Sequence, residues 1–398
     1  MKRLLALLLT MVLVMSVFVG CTKEETPATD AGAPDGGTEE DTTSDDAGDT
    51  DSGDADSQAD DSGDTSQDSG DDKLVVFIPK MTGNSFFESA NDGAQEFASK
   101  VGGYTVKYDG NPEAAVANQV TIINNAIQQQ VDAICVSSLD STGLDSVLSD
   151  AMGAGIPVVT WDSDVSPQSR QIMVSQGTPE ILGQMLIDMG VKSLEERGMD
   201  PDADGVKYVW HYSQSTVTDQ NSWHEAGEAY VQEKYPNWVN VAPDNYYSEQ
   251  DAEKAISVGE SILTAHSDID LIICNDSTAL PGQAQAAQNL GLTKDDVTIT
   301  GFSTPNSMKD YCKANVLARW GLWDSKLQGA IGTYVAYYLS MGNTLKVGDK
   351  VDIPDVGELE VMPNDVLEEG AYTADDSGVI LLPERAEFTL DNMDDYDF

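Results

Sequence analysis

Apolar residues along this chain recur in two alternating rhythms. The run KLVVFIP (73–79) is β-branched and almost unbroken, as in a strand covered on both faces. SFFESANDGAQEFASKVG (85–102) then brings apolar positions back at helical spacing and closes on glycine. YTVKYDG (104–110) predicts a strand, AAVANQVTIINNAIQQQ a helix, VDAICVSS (131–138) a strand, GLDSVLSDAMGAG a helix and IPVVTWDSD a strand. Strands separated by helices in this way predict a parallel sheet with helices on both faces.

The rhythm then restarts. PEILGQMLIDMGVKSLEERG is a predicted helix, VKYVWHYS (206–213) a strand and NSWHEAGEAYVQEKYP a helix. VNVAPDNYY reads as one strand, EQDAEKAISVGESILTAH as a helix, DIDLIICND as a strand and ALPGQAQAAQNLG as a helix, with DVTITGFST as the last long strand. Two similar α/β halves follow one another. Their strands end in polar clusters: PKMTGNSFF, SSLDSTG, TWDSD, SQSTVTDQNSW, CNDSTALPG and GFSTPN. Ligands of open parallel sheets sit outside the carboxyl ends of the strands, so two lobes closing on a ligand are expected.

Composition changes the picture at the N-terminus. Lys2 and Arg3 precede the apolar run LLALLLTMVLVMSVFVG and then Cys21, the pattern of a secretory leader. Gly20 before Cys21 suggests lipoprotein processing, with lipidation of Cys21; Phe18 departs from the usual Leu, and an uncleaved membrane anchor is the alternative. Either way the rest of the chain is placed outside the cytoplasm, and no later stretch is apolar enough to span a bilayer. Residues 22–72 hold 19 acids and one Lys with almost no large apolar side chain. Such a segment cannot bury enough surface to offset ordering and reads as a solvated acidic linker, long enough to cross a thick Gram-positive wall. Its Asp run lacks the fixed glycine and terminal Glu of a calcium loop. With 69 acids against 21 basic residues, a formal net charge of −48 argues against nucleic acid or an anionic membrane surface as partner.

Little in the sequence supports catalysis. His211 falls in a strand, His224 in a helix and His266 near a helix end, none beside a nucleophile motif. G-x-S-x-G, H-E-x-x-H, C-x-x-C and a P-loop are missing, and PKMTGNSFF stands where a dinucleotide fingerprint would be. No cofactor and no metal are called for. Beyond Cys21 the odd trio Cys135, Cys274 and Cys312 gives no disulfide framework; the first two read as core, and Cys312 could be exposed but has no His partner near it in sequence.

The strand ends hold a different chemistry: Lys80, Asp162, Asp219, Gln220, Asn275 and Asp276, with Phe86, Phe87 and Trp161 nearby. Carboxylates and amides pair with vicinal hydroxyls, and aromatic faces cover the C–H surface of a sugar-like ring. Each residue also has a plainer reading. Asp162 and Asp164 could cap a turn, Asp219 could cap the following helix, Lys80 could be solvated, and Trp161 and Phe86 could be core. A secreted glycosidase using Asp162 and Asp219 is the enzymatic alternative.

The segments FIPKMTGNSFF, TWDSD, QGTPEILGQML, YSQSTVTDQNSW, TALPGQAQAAQNLG, GFSTPNSM, GLWDSKLQG, VGDKVDIP and GVILLPERAEFTLDNMDDYDF resemble the LsrB family, from about Leu74 to Phe398. These are substrate-binding proteins of ABC importers for autoinducer-2. The resemblance implies the type I periplasmic binding protein fold, two Rossmann-like lobes joined by a three-crossing hinge, working as a monomer with the importer's membrane subunits. It implies lobes built from 73–174 plus about 304–344 and from 175–303 plus about 345–398. The implied ligand is a small polyhydroxylated furanosyl molecule, the boron-free tetrahydroxytetrahydrofuran form of the signal. Lys80 would donate to ring hydroxyls, Asp162 would accept from a hydroxyl pair, and Asp219 and Gln220 would hold the ring from the second lobe. Pro281 matches a position of backbone contact. Gly282 and Gln283 depart from an Ala-rich pattern, and Gln283 could turn its amide inward. Relatives that take ribose or rhamnose leave a pentose or deoxyhexose as the alternative ligand.

Overall fold

In the computed structural model of the protein, residues 72–398 are described. The expected leader with Cys21 and the acidic segment up to Asp71 lie outside them. The first sheet begins with β1 (Lys73–Ile78), β2 (Tyr104–Tyr108), β3 (Ala133–Val136), β4 (Val158–Trp161) and β5 (Ile172–Ser175). Helices α1 (Ser85–Val101), α2 (Val116–Gln129) and α3 (Asp145–Gly153) connect the first four. The strands run parallel in the order β2-β1-β3-β4-β5, so their carboxyl ends share one edge. Their apolar residues are fully enclosed, as the unbroken β-branched runs require.

The second lobe repeats the plan. It contains α4 (Pro179–Glu196), β6 (Lys207–Tyr212), α5 (Thr218–Lys234), β7 (Val239–Asn240), β8 (Tyr246–Tyr247), α6 (Ala252–Ala265), β9 (Leu271–Cys274), α7 (Ala279–Asn289) and β10 (Thr298–Gly301). VNVAPDNYY is not one strand: β7 and β8 pair separately with β6, because Pro243 between them has no N–H to give a ladder.

The last third departs from the expected partition. Helix α8 (Pro305–Lys313) and strand β11 (Arg319–Leu322) stay with the second lobe, where β11 lies beside β10 and α4. The chain then returns to the first lobe with α9 (Ser325–Ser340), which packs along α1. The approach is close: a Cβ on Gly93 would stand 2.1 Å from the Lys326 carbonyl oxygen, and one on Gly329 1.9 Å from that of Ala90. Strands β12 (Lys350–Ile353), β13 (Gly357–Met362) and β14 (Gly378–Leu381) extend the first sheet, β14 lying parallel against β5. Thus 304–322 is not in the first lobe and 345–381 is not in the second. DVTITGFST is not the last long strand either, since β13 runs six residues. From β15 (Ala386–Thr389), paired with β11, to Phe398, which packs with its neighbours on α8, the chain returns to the second lobe.

Three crossings join the lobes, after β5, before α9 and after β14. Side chains tie them together. Gln328 Nε2 donates to the Val174 carbonyl at 3.1 Å and to Gln176 Oε1 at 3.0 Å, while Trp323 Nε1 donates to Gln328 Oε1 at 2.6 Å. Arg385 Nε donates to the Gln176 carbonyl at 2.5 Å.

Candidate functional site

The strand ends of both lobes face one another across a small cavity whose lining residues are mostly buried. It is lined by Lys80, Phe86, Phe87, Asp162, Gln220, Trp223, Gln250, Asn275, Asp276, Ser277, Phe302, Leu322 and Trp323. Water centres reach about 30 Å³ of it. Widened by a water radius, a rounded space of that size has walls enclosing roughly 150 Å³, room for one small ring and not for a disaccharide.

Lys80 leaves the end of β1 with its side chain 2% exposed, and its Nζ lies 3.0 Å from Asp162 Oδ2. Burial opposes its charge, but Asp162, Asp219 and Asp276 outweigh that and hold its pKa above the ordinary value. Asp162 itself stands at φ 59°, a left-handed conformation that is strained for a residue with a side chain. Ser137 Oγ donates to Asp162 Oδ2 at 2.6 Å. Buried Gln119 fixes this edge by donating to the Pro79 and Ser137 carbonyls at 3.0 and 2.7 Å and accepting from Leu139 N–H at 3.1 Å.

The second lobe brings Asp219 and Gln220 from the start of α5. Ser163 Oγ, beside Asp162, donates to Asp219 Oδ1 across the cleft. Ser213 holds Gln220 Oε1, which leaves its Nε2 to meet a ligand, and Asn275 Nδ2 donates to the Gln220 carbonyl at 2.9 Å. Asp276 Oδ1 accepts from the Thr278 and Ala279 N–H groups at 2.8 and 3.1 Å. Asp219 Oδ2, Asn275 Oδ1 and Asp276 Oδ2 are buried without a partner among the described residues. Burial pushes the Asp276 carboxyl up to about 6; at Asp219 burial, with Asp162 adding, outweighs Lys80 to give about 6. Native proteins seldom leave buried acceptors orphaned, and three near one cavity ask for a ligand rich in hydroxyl donors.

The structure therefore brings Lys80, Asp162, Asp219 and Gln220 together, as well as Asn275 and Asp276 from the polar strand ends. It does not bring in Gln283. That side chain is fully buried between α6 and α7, where Oε1 meets His211 Nδ1 at 3.0 Å and Nε2 donates to the Gly259 carbonyl at 3.4 Å. Gly282, packed against Ala255, lets the two helices approach and thereby holds Gln283 inside. Pro281 lines an adjoining open groove rather than the cavity. Asp164 is not a ligand group either: it pairs with buried Arg170 at 2.7 Å, which also bonds Asn364 and Ser377 near β14. Trp161 is core, stacked on Phe77 at 4.4 Å, and Cys312 is buried with Cys135 and Cys274.

Sequence reasoning found Phe86 and Phe87, which line the cavity, but missed Trp223, Phe302 and Trp323 in its aromatic wall. Trp323 sits edge-on to Phe86, Trp223 and Phe302 at 5.7, 5.8 and 5.6 Å. Trp223 lies four residues past Asp219, one helical turn on, which puts both on the same face of α5; that spacing could have found it.

A family model described as a periplasmic binding protein domain matches residues 75–344. The D-ribose/D-allose-binding protein of Pseudomonas aeruginosa is 26% identical over 283 residues, 68% of this chain and 83% of that protein. The ribose import binding protein RbsB of Escherichia coli is 26% identical over 240 residues, 59% of this chain and 74% of its own length. Among solved structures, LsrB from Clostridium saccharobutylicum in complex with AI-2 is 64% identical with a TM-score of 0.81, covering 82% of this chain and 100% of that one. A solute-binding protein from Clostridium phytofermentas with bound L-rhamnose, 23% identical with a TM-score of 0.71, covers 81% of this chain and 98% of its own and shares the fold.

Proposed function

This chain belongs to the LsrB family of periplasmic binding proteins, and from that premise we propose that its cleft captures the boron-free tetrahydroxytetrahydrofuran form of autoinducer-2. At the coarser level it is a sugar-type solute-binding protein of the ABC importer class and not an enzyme. The observation that carries the proposal is the one-ring cavity with two orphaned acceptors in its wall, on Asn275 and Asp276, and a third on Asp219 beside it, set against an aromatic wall. Lys80 donates to ring oxygens, and Asp162, Asp219 and Asp276 accept from hydroxyls. Three carboxylates against one ammonium also favour a neutral ligand, because a tetrahedral borate diester would add an anion to an acid-rich cavity. Binding shifts the lobes from open to closed forms, and the importer's membrane subunits receive the loaded form.

Cys21 carries the lipid in this reading, and the acidic linker holds the lobes away from the outer face of a Gram-positive membrane. Fractionation tests that part: Cys21→Ala should move the protein from membrane to medium. Calorimetric titration with purified autoinducer-2, with and without borate, tests the ligand. Heat with the signal and no gain from borate is expected. Silence with the signal and strong heat with ribose would favour the pentose reading, which the ribose-binding relatives support.

A further inference from the structure

We infer that Gln250 is a further ligand-contacting residue, one that lies in the cavity wall where the ligand space adjoins two grooves. This rests on the cleft being a polyol site, as proposed above, and adds a residue that the family resemblance does not supply. Gln250 lies in the turn between β8 and α6 and is buried. It lines the cavity and also two open grooves of about 310 and 760 Å³ that flank it. One side chain therefore stands where the ligand space adjoins both outer spaces.

Two features say that the side chain, rather than the turn, is what matters. Glu249 and Gln250 are successive left-handed residues, φ 55° and 59°. Glycine would hold that turn without strain, whereas glutamine there brings an amide into the cavity wall. That amide is held by Thr278 of its own lobe, which in turn meets the first lobe. Thr278 Oγ1 donates to Gln250 Oε1 at 3.4 Å and accepts from Asn84 Nδ2 at 3.2 Å, and Asn84 belongs to the first lobe. Asn84 also accepts from Ser277 Oγ at 3.2 Å.

Its chemistry fills a gap. The wall is rich in acceptors: Asp162, Asp276 and Asn275 Oδ1 line it, with Asp219 beside it. Donors are fewer: the Lys80 N–H groups not turned to Asp162, and Gln220 Nε2. Ring oxygens and the second lone pairs of hydroxyls need N–H groups, and Gln250 Nε2 supplies one from the solvent side.

The test compares Gln250→Gly and Gln250→Glu with the wild-type protein by titration and stopped-flow dissociation. The ligand is whichever of autoinducer-2, ribose and rhamnose the wild type binds, so a different ligand for the cleft leaves this test intact. Gln250→Gly removes wall and donor while easing the backbone. It should weaken binding by about tenfold or more, mainly through faster dissociation. Its ligand-free melting midpoint should stay close to that of the wild type. Gln250→Glu keeps the size and exchanges the donor for a charge facing other carboxylates, and should also weaken binding by about tenfold. Dissociation constants within about threefold of the wild type for both variants would overturn the inference. If the Gly variant does not fold, the Glu variant alone decides in the same way.

Discussion

Acidification should loosen the ligand in this cleft, and the structure sets the size of the effect. Asp276 in the cavity wall and Asp219 beside it each have a pKa near 6 without ligand, because burial penalises their charged forms. Each also has an Oδ2 with no protein donor. A hydroxyl that donates to such an oxygen favours the ionised carboxylate. Ligand binding therefore draws both pKa values down and releases protons. Affinity rises with pH until both groups are already ionised, then levels off. Below about pH 6, each group that must ionise costs a factor of ten in affinity per pH unit, so at about pH 5 the loss is roughly tenfold for one group and a hundredfold for two. Titrations from about pH 5 to about pH 7.5, in two buffers of different ionisation enthalpy, measure both the constant and the protons released. A flat profile, or tighter binding in acid, would refute the reasoning.

The same groups leave a mark on ligand-free stability with the opposite sign. A carboxyl whose folded pKa is raised binds its proton more tightly folded than unfolded. Its contribution is favourable below the unfolded value near 4 and is lost as pH rises through about 6. For Asp276 the difference is on the order of 3 kcal/mol. Asp276→Asn should remove that slope in denaturant melts and cut the pH dependence of binding to one group's share.

Asp162→Ala should abolish binding and also destabilise the protein by about 3–5 kcal/mol, since it leaves Lys80 charged and buried without its partner; an unchanged denaturation midpoint would contradict the ion pair. Gln283→Ala should lower stability by about 1–3 kcal/mol through the stranded His211 Nδ1, with little change in the dissociation constant. A large loss of affinity at full stability would restore Gln283 to the ligand site. Gln328→Leu strips the bonds to Val174, Gln176 and Trp323 that tie two crossings together. Small-angle scattering at saturating ligand should then show incomplete closure, and a wild-type radius of gyration would show that these ties do not set the closed form.

The βα alternation of both halves was legible because each buried strand is a solid apolar run and each helix carries a stripe. The last third was not, for physical reasons. Once α9 has re-entered the first lobe against α1, nothing in local periodicity says which sheet edge the next strands join. β14 is placed by pairing with β5, more than two hundred residues back in sequence, and β13 by pairing with β14. The buried Arg170 that bonds Asn364 and Ser377 fixes that extension, and no pattern around Arg170 announces it. Strand β5 was overlooked because IMVS is four residues long and lies between loops.

The site was more legible from elementary chemistry than from the likeness at one point. Polar residues at strand ends include Asn275 and Asp276, which line the cavity with unpartnered acceptor atoms. The resemblance moved attention a turn and more along α7, to Pro281 and Gln283. A helix turns its successive residues to different sides. Where α7 leaves its N-terminus, the cleft side belongs to the cap and the residues before it; four and five residues on, the chain has rotated toward α6. The departure from an Ala-rich pattern at Gln283 is therefore answered inside the core, by His211 and the Gly259 carbonyl. For Asp162 the structure sharpens the choice between cap and grip. Its carboxylate is spent on Lys80 and Ser137 before any ligand arrives, so what it offers a sugar hydroxyl is the remaining lone pairs of a carboxylate already locked in place. That preorganisation lowers the ordering cost of binding. It comes with a left-handed backbone at φ 59° that the enclosed ion pair holds in place.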